Sequence, residues 1–218
     1  MGLQLFFHPF SSYSQKALIA LHENATPFTP RVLSPDDPDT GAEFAGRWPM
    51  RRFPLLVDGE RTIFEATAVI EYLEAAHPGP VRLIPQDALA AVDVRMLDRV
   101  FDNYVSTPLQ KLVFDCLRDP AARDAQGVAE AHKMLETSYA WLDARMADRE
   151  WAAGEFSLAD CSAAPALFYA DWAHKIDARF ANLLAYRARL LARPSFARAV
   201  DAARPYRSYF PLGAPDRD

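Results

Sequence analysis

With 218 residues, 50% of them hydrophobic and 24% charged, the chain is long enough for one large domain or two small ones with a real core. Its formal net charge of −5 argues against a generic nucleic-acid binder, which needs a basic face to neutralise phosphates. Two cysteines far apart make no disulfide framework, no basic segment precedes the first apolar run, and no stretch nears the roughly 20 apolar residues of a membrane span, so a cytoplasmic protein with neither nucleic acid nor membrane as partner is expected.

The first apolar run, LQLFF at 3–7, ends at His8-Pro9 and predicts a buried strand. A helix follows from Ser14 to about His22, with Ala17, Leu18 and Leu21 on one face. TPFTPRVL at 26–33 reads as a second strand with prolines at its edges, and the acidic stretch 34–46 as loop or short irregular helix. FPLLVDGERTIF at 53–64 is the clearest hairpin, because its apolar runs flank Asp58-Gly59, which tolerates the positive φ of a tight turn. A helix over 65–77 carries Val69, Leu73 and Ala76 at i, i+4 and i+7.

The order is therefore βαβ then ββα, and the Pro/Gly punctuation of PGPVRLIPQ at 78–86 predicts a domain boundary. Beyond it, helices are expected at 87–117, 122–147, 157–173, 179–192 and 195–203, before an irregular tail from Arg204. Pro108 and Pro165 fall inside two of them, and each predicts a kink or break. Ser157-x-x-Asp160 has capping-box spacing, and Phe156 with Cys161 fits a hydrophobic staple, so a stabilising helix start is expected there.

The turn after the first strand holds Ser11, Ser12, Tyr13 and Ser14. Ser11-x-x-Ser14 stands where a redox protein of similar layout carries C-x-x-C, and without cysteines disulfide exchange through an enzyme thiol is not expected. Locally, such hydroxyls read as N-caps. The five histidines (8, 22, 77, 132 and 174) show neither close pairing nor ligand spacing, and the glycines form no phosphate loop, so no metal site is expected.

HPFSSYSQKALIAL, Phe53-Pro54, EATAVIEYL and SLADCSAAP, in that order and spacing, resemble the cytosolic glutathione S-transferases over almost the full length of the chain. The serine-type classes are the nearest in pattern, and the composition, rich in Ala and Arg, suggests a bacterial member. The resemblance implies an α/β thioredoxin-like glutathione-binding domain over 1–79, a linker over 80–88 and an all-α domain over 89–218. It also implies glutathione as cosubstrate with no permanently bound cofactor, a small hydrophobic electrophile as second substrate, a homodimer and a role in detoxification.

Carried residue by residue, the resemblance makes Ser11 the catalytic hydroxyl, donating to the glutathione sulfur, with Ser14 left as helix cap and Tyr13 as runner-up donor. Phe6 and Phe7 occupy the strand where tyrosine-type classes place their hydroxyl, which closes that alternative. A thiol of pKa near ~8.5 is only a few per cent ionised at neutral pH, and lowering that value by two units requires about 2.7 kcal/mol of preferential thiolate stabilisation. One hydrogen bond to a charged group is worth roughly 1.5–3 kcal/mol and a helix N-terminus about 0.3–1 kcal/mol, so no general base is needed.

The same resemblance implies a cis Pro54, which frees the backbone of Phe53 to pair with the cysteinyl unit; an edge-strand proline is the alternative. Glu65-Ala66-Thr67 matches the γ-glutamyl carboxylate subsite, but Ala66 stands where the family usually has Ser, and Thr67 is a candidate to compensate, its direction being open at this level. Arg52 and Arg47 are candidates for the glycyl carboxylate, against a solvated basic turn, and Trp48 is expected near the pocket. Within RMLDRVFDNYVSTPLQK at 95–111, Phe101, Tyr104 and Val105 join Tyr13 as candidates for the second-substrate pocket, and Asp98 or Asp102 for the glutathione amine of the partner subunit. Aromatics at helical spacing, including Phe168, Tyr169 and Trp172, are more often plain core. Two other functions stay open: a catalytically weak binding or scaffold protein with altered ligand preference, and glutathione-dependent isomerisation or peroxide reduction.

Overall fold

The structure, a computed structural model, describes residues 2–218. Among them a four-stranded sheet runs in the order β2-β1-β3-β4. β1 (Leu3–Phe7) pairs in parallel with β2 (Phe28–Val32) and antiparallel with β3 (Leu55–Asp58), which turns into β4 (Arg61–Phe64). The turn residues are Gly59 and Glu60, one position later than expected, and Gly59 takes the positive φ of +58°. Side chains alternate along each strand. Leu3, Leu5, Phe7 and Leu56 face α1 (Ser12–Glu23) and α3 (Ala66–Ala76), whereas Phe6, Leu55 and Val57 face Phe44 of α2 (Pro38–Arg47).

The stretch expected as loop or irregular helix is the regular helix α2. Its turn-like residues are a helix start: the Asp37 carboxylate accepts from the Thr40 amide at 3.0 Å and Pro38 sits in the first turn. Burial of Phe44 against Phe6 supplies the tertiary support that short helices need.

After α3, residues 77–87 form neither strand nor helix, yet Leu83 and Ile84 are buried and the Leu83 carbonyl accepts from the Leu158 amide at 2.9 Å. The remainder is helical: α4 (Ala88–Phe101), a π-helical stretch (Asp102–Ser106), α5 (Thr107–Cys116), α6 (Ala125–Arg145), α7 (Leu158–Ala173), α8 (Ala181–Ala192) and α9 (Pro194–Ala203). A 3-10 turn (Arg204–Tyr209) precedes an irregular tail. The break expected at Pro108 is the π-helical stretch just before it. Pro108 has no N–H for the Tyr104 carbonyl, which accepts instead from the Ser138 hydroxyl of α6 at 2.8 Å.

α7 is buried along nearly its whole length, and Pro165 leaves it a single assigned helix. Its start has the expected capping box. The Asp160 carboxylate accepts from the amides of Ser157 and Ala152, both at 2.9 Å, and from the Tyr186 hydroxyl at 2.6 Å, tying α7 to the preceding loop and to α8.

The two halves share one apolar core, in which Leu5, Ala17 and Ile19 lie with Leu97, Leu167 and Phe168. A buried ion pair joins them: Lys16 of α1, 2% exposed, places Nζ 2.5 Å from Asp98 and 2.9 Å from Asp102. Among the described residues, no helix is long and apolar enough to cross a membrane.

Candidate functional site

A cleft of about 790 Å³ opens where the first turn of α1, the loop before β3, the start of α3, helices α4 and α5, and the tail converge. From the sheet-bearing half it is lined by Ser11, Ser12, Tyr13, Arg51, Arg52, Phe53, Pro54, Glu65 and Ala66. Phe10, Leu109, Val113, Phe114, Tyr169, Phe210 and Pro211 add apolar lining, and Gln110, Asn103, Arg99 and Asp102 add polar groups.

Ser11 is held from several directions. Its amide donates to the His8 carbonyl at 3.0 Å, and its hydroxyl oxygen accepts from the Ser14 amide at 3.3 Å, which makes Ser11 the N-cap of α1. The expectation that Ser14 caps the helix is thereby corrected. Ser14 lies inside the first turn, buried, with its own oxygen accepting from the His8 amide at 3.4 Å. Capping uses a lone pair of Ser11 Oγ and leaves its O–H proton to donate. Gln15 braces the loop by donating to the Pro9 carbonyl at 3.0 Å and to the Tyr169 hydroxyl at 2.9 Å.

Tyr13 accepts from the Gln110 side chain at 3.0 Å. Burial, assisted by the charge of Asp102, pushes its pKa up to about 12, so it stays a neutral phenol with a free proton at ordinary pH. Burial also raises the carboxyl of Asp102 above its usual range, opposed by Lys16. The Phe53–Pro54 peptide bond is cis. Arg51 (φ +52°) and Glu65 (φ +65°) hold left-handed backbone conformations that non-glycine residues adopt rarely, and both line the cleft. Neither Arg51 nor Arg52 has an ion-pair partner among the described residues, so two guanidinium groups stand at this edge uncompensated.

Several expected site residues lie elsewhere. Thr67 points inward: its hydroxyl donates to Asp98 at 3.0 Å and accepts from Lys16 at 2.9 Å, so it does not replace the hydroxyl missing at Ala66. Phe101 and Val105 are fully buried in the core, and Tyr104 is half-exposed but outside the cleft lining. The cleft uses the neighbouring face of the same helical column, at Arg99, Asp102, Asn103, Gln110, Val113 and Phe114. Asp98 is buried against Lys16 and therefore closed to a partner subunit's ligand, whereas Asp102 reaches the cleft wall. Arg47 pairs with Glu43, and Trp48 stacks on Phe64 at 4.1 Å behind the cleft edge. Of the ambiguous aromatics, Tyr169 lines the cleft, Phe168 belongs to the core, and Trp172 stands behind Phe10 and Phe210.

Sequence reasoning missed Arg99, Gln110 and the tail residues Tyr209, Phe210 and Pro211. The helical spacing of 99, 103, 110 and 114 was available as a face, but the tail carries no periodic signal. It also missed a histidine pair. His132 Nδ1 and His174 Nδ1 lie 3.0 Å apart across α6 and the end of α7, and His174 Nε2 lies 3.1 Å from Glu136. Among the described residues, no group of three or more His, Cys, Asp or Glu is placed to hold a metal ion.

Taken as a whole, the chain is similar to proteins of known kind. Residues 5–81 match the family model of the glutathione S-transferase N-terminal domain, and residues 125–189 that of the C-terminal domain. Glutathione S-transferase 3 of Zea mays is 30% identical over 213 residues, 92% of this chain and 94% of that protein. A probable maleylacetoacetate isomerase of Vibrio cholerae is 29% identical over 220 residues, covering 94% and 98%. Among solved structures, a glutathione S-transferase of Methylobacterium radiotolerans in complex with glutathione sulfonate superposes with a TM-score of 0.79 at 28% identity, over 91% of this chain and 94% of that one. One from Methylobacillus flagellatus with glutathione bound shares the fold at a TM-score of 0.82 and 23% identity, over 90% and 98%. Likeness at that length and identity, with both domain models met in order, makes this chain a member of the glutathione S-transferase family.

Proposed function

We propose that the chain binds reduced glutathione in this cleft, holds its thiol as the thiolate through the Ser11 hydroxyl, and delivers the sulfur to small, mostly apolar electrophiles. The reading rests above all on Ser11: its oxygen is occupied by the Ser14 amide while its proton is free beside the cleft. The start of α1 adds positive potential at the same point. The thiol proton leaves to solvent, sulfur bonds to the electrophilic carbon, and the leaving group departs with the bonding pair. In this reading Phe53 pairs through its backbone with the cysteinyl unit beside Pro54, Arg52 takes the glycyl carboxylate, and Glu65 and Ala66 border the γ-glutamyl end. Residues 1–79 carry glutathione, 80–88 link, and 89–218 supply the wall for the electrophile, with Tyr13 lining the same cleft as Leu109, Val113, Phe114 and Phe210.

We read the protein as a cytoplasmic homodimer of the serine type acting in detoxification, with glutathione a cosubstrate rather than a resident cofactor. The exposed apolar residues Leu89, Val92 and Met96 along α4 favour the dimer, which sedimentation of the purified chain tests. The chemistry is tested by glutathione titration and by turnover of an activated aryl halide. Saturable binding with conjugate formation is expected, and absence of affinity at millimolar glutathione would remove the proposal.

One observation favours a second reading, a binding protein with weak or no catalysis: the subsite at Ala66 lacks a hydroxyl, and Thr67 does not restore it. Glutathione affinity without conjugate formation would select it. Likeness to the isomerase of Vibrio cholerae keeps thiolate-dependent isomerisation as a further assay for the same site.

A further inference from the structure

The side chain at position 66 is a methyl group, and the neighbouring threonine hydroxyl is spent inside the protein. Yet the cleft has another donor at this end. Arg99 of α4 is 56% exposed, lines the cleft together with Glu65 and Ala66, and is anchored by one nitrogen only. Its Nη1 donates to the Asp98 carboxylate at 2.7 Å and lies 3.2 Å from the Thr67 hydroxyl. Nε and Nη2 have no partner among the described residues.

The anchor is buried and held by several partners. Asp98 is 0% exposed and is held by Lys16 at 2.5 Å, by Thr67 at 3.0 Å and by the Ser162 hydroxyl of α7. A flexible arginine ordinarily loses rotamer freedom when it binds an anion. Here that freedom is already reduced by the buried pair beneath it. The two free nitrogens are spaced to grip a carboxylate through parallel hydrogen bonds.

We propose that Arg99 is a carboxylate-binding residue of the cleft, taking over at the Ala66 end the contact that a side-chain hydroxyl at that position would make. Charge along the cleft agrees. Arg99, Arg51 and Arg52 all line it, which suits a ligand with more than one carboxylate. Glu65 and Asp102 beside Arg99 supply acceptors for an ammonium, so this end suits an α-amino-acid head group. Lys16 and Asp98 are positioning residues in this scheme. The inference rests on glutathione as the ligand and assigns its γ-glutamyl α-carboxylate to Arg99.

The test is calorimetric titration of wild type, Arg99→Ala and Arg99→Lys with two ligands: glutathione, and glutathione amidated at the γ-glutamyl α-carboxylate. Arg99→Ala is expected to weaken glutathione binding by about tenfold or more, with Arg99→Lys intermediate. Amidation is expected to weaken the wild type by a similar factor and to leave Arg99→Ala unaffected, since the contact is already gone. Equal losses on amidation in wild type and Arg99→Ala would overturn the assignment, as would unchanged glutathione affinity in Arg99→Ala. Wild type that binds no glutathione at all would instead remove the proposed function, and the assignment with it.

Discussion

Ser11 serves the fold and, in the proposed reaction, the ligand, so its substitution has two separable effects. Ser11→Ala removes an N-cap and should cost about 1 kcal/mol of stability, read as a lower urea midpoint. It should also raise the pKa of the bound thiol by one to two units, roughly the worth of one charged hydrogen bond, seen as a shifted thiolate absorbance profile against pH. Ser11→Asn separates them: the amide oxygen still caps the helix, so stability should recover more than thiol acidity does. A thiol titration unchanged in Ser11→Ala would remove the hydroxyl from the mechanism. His132 and His174 give a second prediction at this scale. Burial lowers both values from 6.5, and the charge of His174 lowers His132 further. Above pH 6.5 both are neutral folded or unfolded and contribute nothing. Below it the unfolded chain takes up protons that the folded pair refuses, so stability falls with pH until the folded values are passed. The drop in Tm between pH 7 and pH 5 should therefore be smaller in His132→Gln than in wild type. The pair was illegible in sequence because 42 positions separate its members. Ala66 could be noticed from the pattern, but the inward turn of Thr67 could not, since a side chain's direction depends on what packs beneath it.

Elements with strong local signals were the most legible. The DG hairpin, the capping box and the helical periods are set by residues within a few positions of one another, and their boundaries fell within a few residues of expectation. Which face of a helix meets solvent was less so. Phe101 and Val105 turn to the core, and the cleft takes the adjacent face, because that choice depends on how α4 and α5 lie against α7. α2 was misread since Asp, Pro and Gly signal both turns and helix starts. The start of α7 carries the clearest prediction for an element. Asp160 is an acceptor for three neighbours, so Asp160→Asn presents an amide donor where acceptors are required. Leaving buried donors unpaired costs about 1–3 kcal/mol each, so a loss of about 3 kcal/mol is expected in urea unfolding. A loss below about 0.5 kcal/mol, the range of an ordinary surface change, would contradict this account of the helix start.

At the scale of the whole molecule, one core and the Lys16–Asp98–Asp102 cluster join the sheet to the helices. The halves should unfold together, so circular dichroism and tryptophan fluorescence should trace one transition, with Trp48 reporting the first half and Trp151 and Trp172 the second. Lys16→Met removes the buried cation that Asp98 and Asp102 share, leaves the exposed Arg99 as the cation beside them, and should cost about 3 kcal/mol. Two separate transitions in the wild type would show that the shared core does not couple the halves. The tail adds a consequence of a different kind. Tyr209, Phe210 and Pro211 complete the cleft wall, and the segment after them is fastened by Arg217 to Asp171 and by Arg207 to Asp218. A chain cut before Tyr209 would keep α1 to α9 and the serine turn, and Leu109, Val113, Phe114 and Tyr169 would still line the cleft, but the part closed by the tail would stand open. Loss of the tail would therefore disturb selectivity before it disturbed folding.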